Sequence, residues 1–243
     1  MRLGRSLPLL LLALVGLPLA VPERQRLLAL TLFRVPLVLQ NVPVTRALGE
    51  VGVFVQHGYA LFGVELRLTD GQEPRVSIDL PAGSTLGDAL RQILKQLPGY
   101  DFEIVSAHLI NMYPRGAKQD PGDLLNMRVA QFDVHEAAPE DIMTRPQEFI
   151  RALKEVLYPE KPGWLGGIHS AGPYNLNLHL QNVTVRDILN AASQATESFP
   201  GDLSPLGWVY TFQPKPGLPA GEVHSWNALQ TAPRDWKVSA KPG

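Results

Sequence analysis

One ten-residue phrase occurs twice in this chain of 243 residues, and it constrains the fold more than any other feature. Leu39-Gln40-Asn41-Val42-Pro43-Val44-Thr45-Arg46-Ala47-Leu48 returns as Leu180-Gln181-Asn182-Val183-Thr184-Val185-Arg186-Asp187-Ile188-Leu189. A looser third copy, one residue longer, runs from Leu80 to Leu90. Each copy closes a strand-like stretch and opens an amphipathic helix. The chain therefore repeats a small β-α unit, and such repeats set the architecture.

The remaining periodicities extend this unit. In the first half, Pro43 sits where a first helical position falls, since its missing N–H is not needed there. Val44, Ala47, Leu48, Val51 and Val55 follow on one helical stripe. Residues 60–68 read as a strand, and Asp70-Gly71 as the turn after it. Val76, Ile78 and Leu80 alternate against Arg75, Ser77 and Asp79, the period of a half-buried strand. Thr85 with Asp88 three residues on is a capping pattern. The helix it opens carries Leu86, Ala89, Leu90, Ile93, Leu94 and Leu97, stops at Pro98-Gly99, and is followed by strand-like residues 101–113.

The second half replays the plan. Residues 127–134 read as a strand, and 146–158 as a helix with Phe149, Ile150, Leu153, Val156 and Leu157 on one face. A Gly- and Pro-rich loop spans 159–173, and a strand spans 175–183. A helix over 184–196 carries Val185, Ile188, Leu189 and Ala192, and an aromatic strand over 207–212 has Trp208, Tyr210 and Phe212 on its core-packing face. The expected fold is α+β: two tandem βαββαβ-like domains, each a small mixed sheet with helices on one face. Their bounds are 27–114 and 126–213, joined by a Pro-, Gly- and Asp-rich linker at 115–125. Residues 21–26 read as a polar lead-in, and 214–243 as a mobile Pro-, Gly- and Trp-containing tail.

Residues 1–20 read as an export signal, with Arg2 and Arg5 ahead of the uncharged apolar stretch from Leu7 to Ala20. That stretch is shorter than the ~20 residues a spanning helix needs. A periplasmic or secreted location is expected, with no stable membrane insertion after cleavage. There is no cysteine, which excludes disulfides and thiolate chemistry and favours a bacterial envelope protein over a eukaryotic secreted one. The formal charge is −1 and falls by two more with the signal. No basic stripe interrupts the chain, so nucleic acid is not an expected partner.

The sequences Val76-Ser77-Ile78-Asp79-Leu80, Thr85 through Leu94 and Leu97 to Phe102 carry a resemblance, as do Leu178 through Leu189 with Trp208-Val209-Tyr210. Together they resemble the short N-terminal domain shared by secretins and TonB-dependent receptors, a periplasmic βαββαβ module. The resemblance implies protein–protein docking or small-ligand sensing, with no catalytic residues to carry over. No barrel or secretin pore follows the pattern here, and the Trp164 loop is not part of it.

Chemical motifs are sparse. The histidines His57, His108, His135, His169, His179 and His224 form no HxxxH or HExxH pair. Asp133, His135 and Glu136 are the densest cluster, read as a solvated strand end because adjacent strand residues point to opposite faces. Gly167-Ile168-His169-Ser170 is no nucleophile elbow, and Gly163 to Gly167 lacks the Lys that a phosphate loop needs. Glu136 and Glu140 read as surface charge around Pro139. No catalytic residue, metal site or cofactor is expected.

Asn41 and Asn182 recur at the strand-to-helix turn, where Asn tolerates unusual backbone angles and can cap nearby N–H groups. Trp164 and His169 are the candidate ligand-binding residues, and Trp226 and Trp236 the candidate docking residues, because aromatics in a mobile segment supply interface energy. The leading expectation is a non-catalytic envelope interaction module that docks on an envelope protein through strand edges and its aromatic tail. The alternatives are a small-ligand binder with an interdomain pocket and, behind it, a hydrolase with a site assembled across the fold.

Overall fold

The periodicities become elements in a computed structural model, which describes residues 21–30, 32, 34–53, 55, 59–68, 72–135, 148–157, 176–197, 206–212 and 222–225. In chain order the elements are α1 (Val21–Leu28), β1 (Leu37–Pro43), α2 (Val44–Val53), β2 (Leu61–Arg67), β3 (Arg75–Leu80), α3 (Leu86–Gln96), β4 (Tyr100–Ile104) and β5 (Leu109–Pro114). Then follow two 3-10 turns (Ala117–Gln119 and Leu124–Asn126), β6 (Arg128–His135), α4 (Glu148–Leu157), β7 (Asn177–Thr184), α5 (Val185–Thr196), β8 (Trp208–Phe212) and β9 (Glu222–Ser225). The protein is α+β.

The described strands form three sheets. β1 and β3 make one antiparallel ribbon, β6 and β7 another, and the order β4-β5-β2-β8-β9 makes a five-stranded mixed sheet. β2 runs parallel to β5 on one side and to β8 on the other, so one sheet takes strands from both halves of the chain. Alternation along β2 explains how. Phe62, Val64 and Leu66 join the core packed by α2 and α3, with Ile110, Met112 and Val209. Leu61, Gly63 and Glu65 point the other way, the side on which Trp208 and Tyr210 enter a second core with α5. A strand buried on both faces reads as a continuous apolar run, as Leu61-Phe62-Gly63-Val64 does.

The helices are sandwiched rather than laid on one face of separate small sheets. α2 packs on the β1-β3 ribbon and on β2, and α5 on the β6-β7 ribbon and on β2, β5 and β8. The joint between β2 and β8 needs Gly63, because a Cβ there would lie 2.3 Å from both Asn111 Oδ1 and the Trp208 ring.

Four local expectations are corrected. Residues 21–26 belong to α1, whose Leu27 is buried, because the amphipathic turn finds α3 to pack against. Pro43 ends β1 instead of opening the helix, and the Thr45 N–H is capped by Glu73 Oε1 at 2.6 Å. The stretch expected as a linker holds the two 3-10 turns, with Ala117 and Leu125 buried. Inside the expected tail, Glu222–Ser225 pairs with β8.

The repeat survives in three dimensions. Asn41 and Asn182 have φ of 48° and 51°, the left-handed region that Asn tolerates. Each side chain accepts from an arginine on the partner strand, Arg75 Nε at 3.2 Å and Arg128 Nη1 at 3.4 Å. The capping is done by other residues: Glu73 for α2, and threonines for α3 and α5. Thr85 and Thr184 each accept from the backbone N–H three residues on, and Asp88 and Asp187 return the bond.

Candidate functional site

Of the site residues expected from sequence, Trp164, His169, Trp226 and Trp236 all lie outside the described residues, as do Glu136 and Glu140. Two places built from other residues carry chemistry.

The first is the β1-β3 ribbon, whose two edges differ. On α3, Gln92 and Gln96 are one turn apart, a rise of ~6 Å, close to the ~6.6 Å between alternate residues of a strand. Each amide therefore meets one backbone unit of β3. The Ser77 N–H donates to Gln96 Oε1 (2.9 Å) and Gln96 Nε2 donates back to the Ser77 carbonyl (2.7 Å). Asp79 and Gln92 repeat this at 3.0 and 2.8 Å. The outward edge of β3 is thereby closed.

Because Ser77 and Asp79 spend their backbone groups on the glutamines, Val76, Ile78 and Leu80 are the residues that bond to β1. Their register partners include Leu39 and Leu37. Backbone groups alternate in direction along an antiparallel strand, so those of Val38 and Gln40 point away from β3. β1 pairs with no other strand among the described residues. Val35 and Val38, beside this edge, are 45% and 54% exposed, and they are the exposed large apolar side chains among the described residues. The edge is short. Pro36 has no N–H, and the Asn41 N–H already donates to Ser77 Oγ at 2.9 Å.

The second place is the polar stripe of α5 facing the five-stranded sheet: Arg186, Asn190, Ser193 and Glu197, at helical spacing. Arg186 Nη2 donates to Glu65 Oε2 at 2.8 Å, and Nη1 to Asn126 Oδ1. Asn126 in turn donates to the carbonyls of Ala117 and Asp120, both at 2.7 Å, which ties down the 3-10 segment. Asp123 caps the Leu125 N–H at 2.9 Å and lies within reach of Glu65. Arg67 joins from the end of β2, 3.3 Å from Asp120 and 3.7 Å from Asp123.

Glu65 is fully buried, and burial pushes its carboxyl up to about 8, with Asp123 adding to the rise and Arg186 opposing it. Further along the stripe, the Trp208 Nε1–H donates to Asn190 Oδ1 at 2.9 Å. Burial also raises the carboxyl of Glu197, against the opposing influence of His108, whose ring stacks on Tyr59.

On the exposed face of the β6-β7 ribbon, His179 Nδ1 bonds to Asp133 Oδ1 across the strands, and Gln131 donates to Asp133. Asp133 and His179 line an open groove of about 530 Å³ with His135, Glu148 and Arg151. Asp133 and His135 share this face, but no group of three metal-ligating side chains forms among the described residues. No helix among them is long and apolar enough to cross a membrane.

Comparison with protein-family models, with curated proteins and with solved structures gives no match. The sequence reading missed Gln92, Gln96, Glu65, Asp123 and Arg186. Glu65 carried the one available signal, an acid set in an apolar strand (Leu61-Phe62-Gly63-Val64-Glu65-Leu66). The pairing of Asp133 with His179 spans 46 residues and follows only from strand register.

Proposed function

We propose that this chain is an exported docking module that receives an extended segment of an envelope protein along the outer edge of β1, and that its work is binding rather than catalysis. The observation that carries this reading is the asymmetry of the β1-β3 ribbon. Glutamines close the β3 edge, while no described strand pairs with the outward backbone groups of Val38 and Gln40, which lie beside exposed valines.

An added strand bonds to the backbone N–H and C=O of Val38 and Gln40, and its side chains reach Val35 and Val38. Main-chain bonds give such a complex its affinity, and alternate side chains give its specificity. Pro36 and the left-handed Asn41 limit the contact to about four residues, the length of the shorter strands. Edges bounded this way resist indiscriminate pairing, which suits a selective dock. The charged then apolar character of residues 1–20 and the absence of cysteine support placing this work in the bacterial envelope.

A photo-activated cross-linking residue at position 38, with a second at position 77 as control, tests the reading in cells that express the protein. Cross-links from position 38 to one envelope protein, confined to an extended segment and lost in Val35→Lys, support it. Equal cross-linking from both positions contradicts it.

A further inference from the structure

The polar cluster beneath α5 is short of one proton. Two guanidinium groups, Arg67 and Arg186, face three carboxyl groups, Glu65, Asp120 and Asp123. Glu65 Oε1 and Asp123 Oδ2 are both buried, and neither has a hydrogen-bond donor if both groups are ionised. Two ionised carboxylates held together in a buried site repel each other, so such pairs retain a proton. One proton between these oxygens supplies the missing donor and balances the two arginines.

The cluster sits where the halves of the chain meet. Glu65 is on β2, directly opposite Tyr210 of β8 in the register, while Arg186 opens α5 and Asp123 opens the second 3-10 turn. The groups around Glu65 come from the elements packed on it: Arg186 from α5, Asp123 from the 3-10 segment, and Tyr100 and Tyr113 from β4 and β5, while Arg67, further along β2, holds Asp120 and Asp123. β8 contributes the uncharged Tyr210.

We propose that Glu65 and Asp123 share one proton that fastens α5 and β8 onto β2, and that losing it loosens this joint. The folded carboxyl of Glu65 titrates at about 8, against an ordinary 4.5. Unfolding therefore releases a proton between those values. The stabilisation is complete below pH 4.5 and is lost as pH rises through 8.

The test is chemical denaturation of the full chain from pH 5 to 9, beside Glu65→Gln, whose amide still accepts from Arg186 and donates to Asp123 but does not titrate. The unfolding constant of the native chain rises by about four hundredfold relative to that of Glu65→Gln between pH 5 and 8. Amide protection along Trp208–Phe212, corrected for intrinsic exchange, falls over the same range in the native chain only. If Glu65→Gln does not fold, a carboxyl-carbon NMR titration of Glu65 in the unmutated protein decides. A midpoint near 8 supports the shared proton. A midpoint near 4.5, or the same pH slope in both proteins, overturns it.

Discussion

Gln92 on α3 satisfies both backbone groups of Asp79 on β3, accepting from its N–H at 3.0 Å and donating to its carbonyl at 2.8 Å. With Gln96 doing the same for Ser77, a helix performs the task of a neighbouring strand. The corresponding positions after Thr184 are Ala191 and Ala195, so α5 has no such side chains to offer β7. Among the described residues, the first ribbon is sealed by side chains on one side and unpaired on the other.

Removing both seals, Gln92→Ala with Gln96→Ala, exposes a second free edge. The stability loss is about 1–3 kcal/mol, below the ~2–6 kcal/mol that four buried bonds would sum to, because these lie at the surface where water replaces them. Uncovered edges are templates for pairing, so the double variant self-associates as its concentration rises. Denaturation and light scattering read the two effects. An unchanged, monomeric variant would show that the glutamines seal nothing.

Asn41 and Asn182 serve backbone geometry, and the threonines serve capping, so their substitutions separate. At φ 51°, Asn182→Gly is close to neutral while Asn182→Val costs about 1–2 kcal/mol. Thr184→Ala costs about 1 kcal/mol through its lost cap. Denaturant midpoints for the three variants give the order, and Asn182→Gly as the most harmful would refute this division.

The same residues mark how far the sequence could be read. Hydrophobic spacing placed α3, α5, β3 and β7 to within a residue or two, and the threonine and aspartate at 85 and 88 announced a capping box that is present. The asparagines were legible as turn residues, but their share of the capping was not, because Thr184 stands two positions away and either residue type can cap. Pro43 misled for a related reason: it occupies the place that Thr184 takes in the second copy, and the compensating cap, Glu73, lies 28 residues beyond the Thr45 whose N–H it accepts. The seam was out of reach because β2 pairs with β8 across more than a hundred residues. Local periodicity carries no information about which distant strand becomes a neighbour.

Asp88 sets the acid limit of the first half. Bonds from the Thr85 backbone and hydroxyl, then from Arg91, hold its carboxyl down to about 2, below the usual 3.8. A lowered carboxyl contributes stability above the unfolded value that is lost as pH falls through the folded one. The native chain therefore loses stability between pH 4 and 2 more steeply than Asp88→Asn. Thermal unfolding across that range checks this, and parallel curves for the two proteins would rule out the capping carboxylate as the cause.

The claim that β1 offers the open edge is tested most directly by residue-resolved amide hydrogen exchange, in the free chain and in the presence of the envelope partner identified by cross-linking. In the free chain the Ser77 and Asp79 amides exchange slowly behind their glutamines, while those of Val38 and Gln40 exchange fast. Partner binding then slows Val38 and Gln40 and leaves Ser77 and Asp79 as they were. Slow exchange at Val38 and Gln40 in the free chain, or no change there on binding, would contradict docking at this edge.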